Sequence, residues 1–131
     1  MKISASIKSK LNQFETTVQT NDSIKEILIP PKPSGYGSSI NGGELLLLSL
    51  ATCFCNDIYR EAIKRNIIVS NVEVIVTGEF GAEGDSGSNF KYKANVIADA
   101  TVEEIKALIE HTDKVAEIHN TLRKGINLTI S

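Results

Sequence analysis

Glu44-Leu45-Leu46-Leu47-Leu48-Ser49-Leu50-Ala51-Thr52-Cys53-Phe54-Cys55 is the stretch on which the reading of this chain turns. With the residues that follow, it places Leu47, Leu50, Ala51, Phe54, Ile58, Ala62 and Ile63 at spacings of three and four. That period predicts one long helix over 44–66. Its first half is apolar nearly all round, through Leu45 to Leu48, Leu50, Ala51, Cys53, Phe54 and Cys55. A helix apolar on every side has to be covered on every side. A chain of 131 residues has trouble doing that alone, so a wrapping sheet plus a second subunit, or a fully central helix, is expected. Charged residues return at Asp57, Arg60, Glu61, Lys64 and Arg65, where the helix is expected to reach water.

Working outward, Pro30 to Gly43 holds all three prolines and four of the nine glycines, which marks a loop, and Asn41 is placed to cap the helix. Before the loop, Ile3, Ala5 and Ile7 alternate with polar residues, and Phe14 to Thr20 keeps the same period of two. Asn21-Asp22-Ser23 signals a turn, and Ile24 to Ile29 reads as a third strand. After the helix, Val72 to Phe80 alternates with Val72, Val74 and Val76 on one side. Gly81 to Gly87 is a turn, and Phe90 to Ala98 returns as the second arm of a hairpin. Thr101-Val102-Glu103-Glu104 reads as a capping box opening a helix that runs to about Glu117. Ile126, Leu128 and Ile130 read as a last strand. The order β-β-β-α-β-β-α-β predicts an α+β fold with antiparallel sheet, in a single domain over 1–131.

Composition narrows the function classes. Net charge is -2 and no basic cluster stands out, so nucleic acid and an anionic membrane surface are not expected partners. The N-terminus lacks the apolar stretch of a signal peptide, and no apolar run approaches a membrane span, so a cytoplasmic protein is expected. Cys53 and Cys55 are the only cysteines, and one residue apart they close no loop, which fits reduced thiols.

Cys53 is the first candidate for chemistry, against the ordinary role of a buried cysteine as a small hydrophobe. Reactivity needs a cation, a base or a helix N-terminus beside it. The nearest basic residue in sequence is Arg60, about two turns on, which reaches back only in part. Cys55 points about 200° away round the same helix, so the two thiols do not bridge while it is intact. His111 and His119 are distant, and no metal or cofactor is expected. Glu44 is the only acid of the apolar half: either a first-turn carboxylate favoured by the helix dipole or a polar partner for the thiol. Nine residues apart on one straight helix, Glu44 and Cys53 face different ways, so a joint site needs a second chain or a bent first turn. Gly35, Gly37, Gly42 and Gly43 lack the spacing of a phosphate-binding loop and read as a flexible connection.

Two stretches resemble the motifs of the OsmC/Ohr family. Glu44 to Cys53 is similar to its helix motif, in which Glu-Leu-Leu leads through small and apolar residues to a cysteine. Asp113-Lys114-Val115-Ala116-Glu117-Ile118-His119-Asn120-Thr121-Leu122 looks like its second motif, built around Cys-Pro-Val-His. The resemblance implies an intertwined homodimer with antiparallel sheets wrapped around long central helices. It also implies an oxidative-stress protein that reduces hydroperoxides, especially organic ones, with Cys53 as nucleophile and a thiol as reductant.

Three departures accompany the resemblance. Ala116 stands where the family has its second cysteine, with Glu117 in place of the following proline, which implies a one-cysteine mechanism. No arginine precedes Arg60, so Lys10, Lys25 or Lys32 would have to replace the N-terminal arginine of the organic-hydroperoxide branch. Gly43 lies ten residues before Cys53, where that branch has its glutamate, while Glu44, nine before, matches the wider OsmC-like branch. His119 aligns with the second-motif histidine and is read as a helix-end cap. The competing expectation is a non-enzymatic protein of the same fold that binds a small hydrophobic ligand at the dimer interface.

Overall fold

The computed structural model describes residues 1–131, in two compact units, Met1–Leu45 and Leu46–Ser131. In the first, β1 (Ile3–Lys10), β2 (Gln13–Thr20) and β3 (Ser23–Glu26) form an antiparallel meander in that order. Leu11–Asn12 joins β1 to β2, and Asn21–Asp22 joins β2 to β3. Asn12 and Asn21 take the left-handed conformation, with φ of 58° and 50°. Asparagine tolerates it because its side chain bonds backbone nearby. The Asn12 side chain accepts from Gly35 N–H at 2.9 Å, and the Asn21 side chain from Lys2 N–H at 3.0 Å.

The proline-rich segment is tied down rather than flexible. Asn12 N–H donates to Gly35 O at 2.7 Å, and Gly37 N–H donates to Ser9 Oγ at 3.1 Å. The third strand is shorter than expected: it stops at Glu26, ahead of the proline run. Ile3, Ile7 and Ile24 of this sheet are exposed.

Helix α1 spans Gly42–Lys64 and opens with the expected cap. Glu44 N–H donates to Asn41 Oδ1 at 2.8 Å, and Asn41 N–H donates to Glu44 Oε1 at 3.1 Å. It ends where Asn66 turns left-handed (φ 54°) and Ile67 N–H reaches back to Ala62 O. In the second unit, α1 buries Leu50, Phe54, Asp57, Ile58, Glu61 and Ala62. Strands β4 (Ile68–Glu79) and β5 (Ser88–Asp99) form the expected hairpin, with Val74 opposite Ala94. Val72, Val74 and Val76 are half-buried on one face while their neighbours are exposed. Helix α2 (Val102–Val115) starts at the Thr101 capping box, and α3 covers Glu117–Lys124. The core joins Phe54, Ile58, Ala62, Ile67, Leu108 and Ala116, flanked by the inner face of the hairpin.

Three expectations are corrected. The second helix breaks at Ala116, which is extended (ψ 112°) and fully buried, and a separate α3 follows. Residues Ile126, Leu128 and Ile130 form no strand, although they alternate, and all three side chains are exposed. Alternation fits a residue to a sheet face, but a strand also needs a partner for its backbone groups, and none of the chain's own strands supplies one. Asp57 and Glu61 do not reach water: they are 6% and 3% exposed, and ion pairs compensate them.

Candidate functional site

Cys53 and Asp57 are one turn apart on α1, which puts both side chains on one face. Cys53 Sγ lies 3.4 Å from Asp57 Oδ2, and the thiol donates to the carboxylate. The break at Ala116 brings the first turn of α3 to the same place. From that turn the Ile118 N–H favours the sulfur anion and the Glu117 carboxylate opposes it. Arg60 closes the group. Its Nη1 is 3.1 Å from Asp57 Oδ1 and 2.8 Å from Glu117 Oε1, and its Nε donates to Glu61 Oε2 at 2.9 Å.

The electrostatics follow from these contacts. Burial pushes the Cys53 thiol up, Ile118 N–H pulls it down, and Asp57 and Glu117 push it up again, so the sulfur is held as a thiol. Asp57 is also raised: burial dominates, and the bond from Cys53 and the charge of Arg60 offset it in part. Glu117 is held below its usual range, first by its own backbone N–H and then, against burial, by Arg60. The thiol and the two carboxylates lie within 4.8 Å of one another, a set that could hold a metal ion. Arg60 already pairs with both carboxylates of this set.

Glu61 forms a second network. Lys64 Nζ, Arg60 Nε and His111 Nε2 surround it at 2.8 to 2.9 Å, and together they pull its carboxyl down to about 2. A third network ties β5, α2 and α3. Tyr92 donates to Asp113 Oδ1, which Arg123 Nη2 also meets at 2.6 Å.

Of the candidate site residues Cys53, Glu44, Cys55 and His119, Cys53 alone lies in this cluster, and Arg60, the nearest basic residue in sequence, reaches it through Asp57. Glu44 is exposed and engaged by Asn41. Cys55 is half-buried beside Ala51, Asn56 and Val74, and both thiols are free. His119 caps no helix end. It is buried in the first turn of α3, its ring 4.7 Å from that of Tyr92 and 5.6 Å from that of Phe54, and neither ring nitrogen has a partner. Burial and the charge of Arg123 lower its pKa, so the imidazole is neutral at pH 7. It borders a cavity of about 250 Å³ lined by Leu50, Val76, Phe90, Leu122 and Arg123. Read from the sequence, neither Asp57, expected to face water, nor Glu117, which replaces the second-motif proline, has a role at the site. The spacing of four from Cys53 pointed to Asp57, whereas nothing local linked Glu117 to Arg60.

Comparisons with known proteins agree on the architecture. An OsmC-like protein of Mycoplasma pneumoniae is 22% identical, with a TM-score of 0.62 over 92% of this chain and 87% of that one. An OsmC-like protein of unknown function from Vibrio cholerae is 15% identical, with a TM-score of 0.62 over 92% of both chains. An organic hydroperoxide resistance protein of Elizabethkingia anophelis is 18% identical, with a TM-score of 0.58 over 90% and 88%. No curated protein matches the sequence. The family model described as OsmC-like protein matches residues 35–131, most of the chain and both motif stretches, and the chain belongs to that family.

Proposed function

We propose that this chain is a one-cysteine, thiol-dependent hydroperoxide reductase of the oxidative-stress response, acting in the cytoplasm as a homodimer of one OsmC-like domain. The observation that carries this reading is the position of Cys53 at the first turn of α3. There Ile118 N–H favours the sulfur anion that attacks a peroxide. The thiolate attacks the distal oxygen of ROOH, the O–O bond breaks, and the alkoxide takes a proton and leaves as ROH. Cys53 becomes a sulfenic acid. An external thiol displaces water from it to give a mixed disulfide, and a second thiol releases Cys53 and a small disulfide. With Ala116 at the second-motif cysteine position, the external thiol does the resolving.

The homodimer is supported by apolar surface left open: Leu48 and Ile63 on α1, and Ile126, Leu128 and Ile130 in the tail. Glu44 stays in this reading as a polar partner for the thiol, supplied by the second copy. The test treats reduced protein with stoichiometric cumene hydroperoxide, traps with a sulfenic-acid probe and reads peptide masses. Modification at Cys53, absent in Cys53→Ser and turned over by added thiol, is expected.

One observation favours a second reading, a non-enzymatic protein that binds a small hydrophobic ligand. His119 presents two buried, unpartnered ring nitrogens beside an apolar cavity. An unmodified Cys53 at excess peroxide would leave that reading in place.

A further inference from the structure

A thiol attacking a peroxide has two proton problems. The sulfur must lose its proton, and the departing alkoxide must gain one. The pocket around Cys53 holds the sulfur protonated, because burial and two carboxylates oppose the anion. A group beside the sulfur that accepts a proton and then returns it answers both needs.

We infer that Asp57 is a catalytic residue of this reaction: its Oδ2, 3.4 Å from Cys53 Sγ, takes the thiol proton as the sulfur attacks and passes it to the leaving alkoxide. This rests on the peroxidase reading and adds to it the residue that moves the proton. The electron pair of the S–H bond becomes the sulfur nucleophile. The S–O bond forms, the O–O bond breaks, and the proton parked on Asp57 converts RO⁻ to ROH, so Asp57 ends ionised as it began.

The surroundings fit that duty. Asp57 is 6% exposed, so bulk water does not readily replace it as acceptor. Its two oxygens are divided, with Oδ2 facing the sulfur and Oδ1 held by Arg60 at 3.1 Å. Arg60 therefore fixes the carboxylate's orientation without covering the oxygen that meets the thiol. The charged groups facing Asp57 are Arg60 on its own helix and Glu117 from α3. Burial lifts the carboxyl above its ordinary range, which brings its basicity nearer to that of the thiol it serves.

Two reactions of Cys53 separate proton transfer from simple charge repulsion. Iodoacetamide alkylation needs a thiolate, but its iodide leaves without a proton. Peroxide reduction needs a thiolate and a proton for the alkoxide. In Asp57→Asn, loss of the negative charge raises the thiolate fraction, so alkylation at Cys53 speeds up. Oxidation by cumene hydroperoxide slows, by about 100-fold if a general acid–base group has been lost. Both rates are read at pH 7 by peptide mass, which resolves Cys53 from Cys55. Opposite signs support the inference. Rates that rise together, stay level together or fall together overturn it. If Asp57→Asn does not fold, wild-type protein supplies a second measurement: oxidation of Cys53 slows in D₂O, and equal rates in H₂O and D₂O overturn the inference. Wild-type protein that is alkylated but never oxidised defeats the peroxidase reading instead.

Discussion

Arg60 Nη1 lies 2.8 Å from Glu117 Oε1, fifty-seven residues further along the chain. The same guanidinium meets Asp57 and Glu61, both buried. One half-exposed cation therefore compensates two carboxylates that water scarcely reaches. Removing it leaves Asp57 without a cation, while Glu61 keeps Lys64 and His111; breaking a fully buried pair costs about 3–5 kcal/mol. Arg60 is itself 38% exposed, so water screens part of the loss. Arg60→Gln is expected to lower the free energy of unfolding by roughly 2 kcal/mol, read from urea denaturation. Arg60→Lys is expected to recover only part of it, because an ammonium lacks the planar fork that spans three carboxylates.

Glu61 makes stability depend on acid pH. Its carboxyl sits at about 2 in the folded chain against an ordinary 4.5. A depressed carboxylate contributes stability above its unfolded pKa and loses it as pH falls through the folded one. Urea midpoints are thus expected to drop between about pH 4.5 and 2, and Glu61→Gln to flatten that drop. An unchanged pH profile in Glu61→Gln would show that the Lys64, Arg60 and His111 contacts contribute nothing.

Phe54 is fully buried, with Tyr92 packed edge-on at 4.8 Å and His119 at 5.6 Å. Phe54→Ala is expected to cost about 3–5 kcal/mol, the usual range for emptying an aromatic site in a core. The ring also shields His119, so the variant should shift that imidazole's NMR resonances more than those of His111.

Gly78 sits where the β4–β5 register shifts, against the ring of Phe90. A Cβ there would lie 2.3 Å from Phe90 Cδ1. Gly78→Ala is expected to destabilise by about 1–2 kcal/mol, within the range for overpacking. Adding Phe90→Ala should remove most of that penalty, and a double-mutant cycle by thermal melting measures the coupling.

The long helix, the β1–β2 pairing, the β4–β5 hairpin and the Thr101 cap were legible because each is written locally. A period of 3.6, a period of two, or a cap three residues from its partner is visible in a short window. The break at Ala116 was not, since alanine favours helix and only tertiary packing imposes the extended turn. The tail misled for the opposite reason: Ile126, Leu128 and Ile130 carry a strand pattern without a strand's neighbour. At the candidate site Cys53 was identified, but its surroundings were not. Asp57 and Glu61 look like solvent-facing charges when α1 is considered alone. They become buried groups only when α2 and α3 are packed against α1.

The left-handed asparagines at the turns have a consequence in the state that no contact describes. Asn12, Asn21 and Asn66 stand where glycine would adopt the same φ without steric cost. Glycine, however, frees the unfolded chain, and that added disorder has to be lost again on folding. By using asparagine, the chain accepts some local strain in the folded state and begins from a less disordered unfolded one. The reach of these turns into stability therefore extends past the bonds from Lys2 and Gly35: part of what holds the meander together is the narrower set of shapes open to it before it folds.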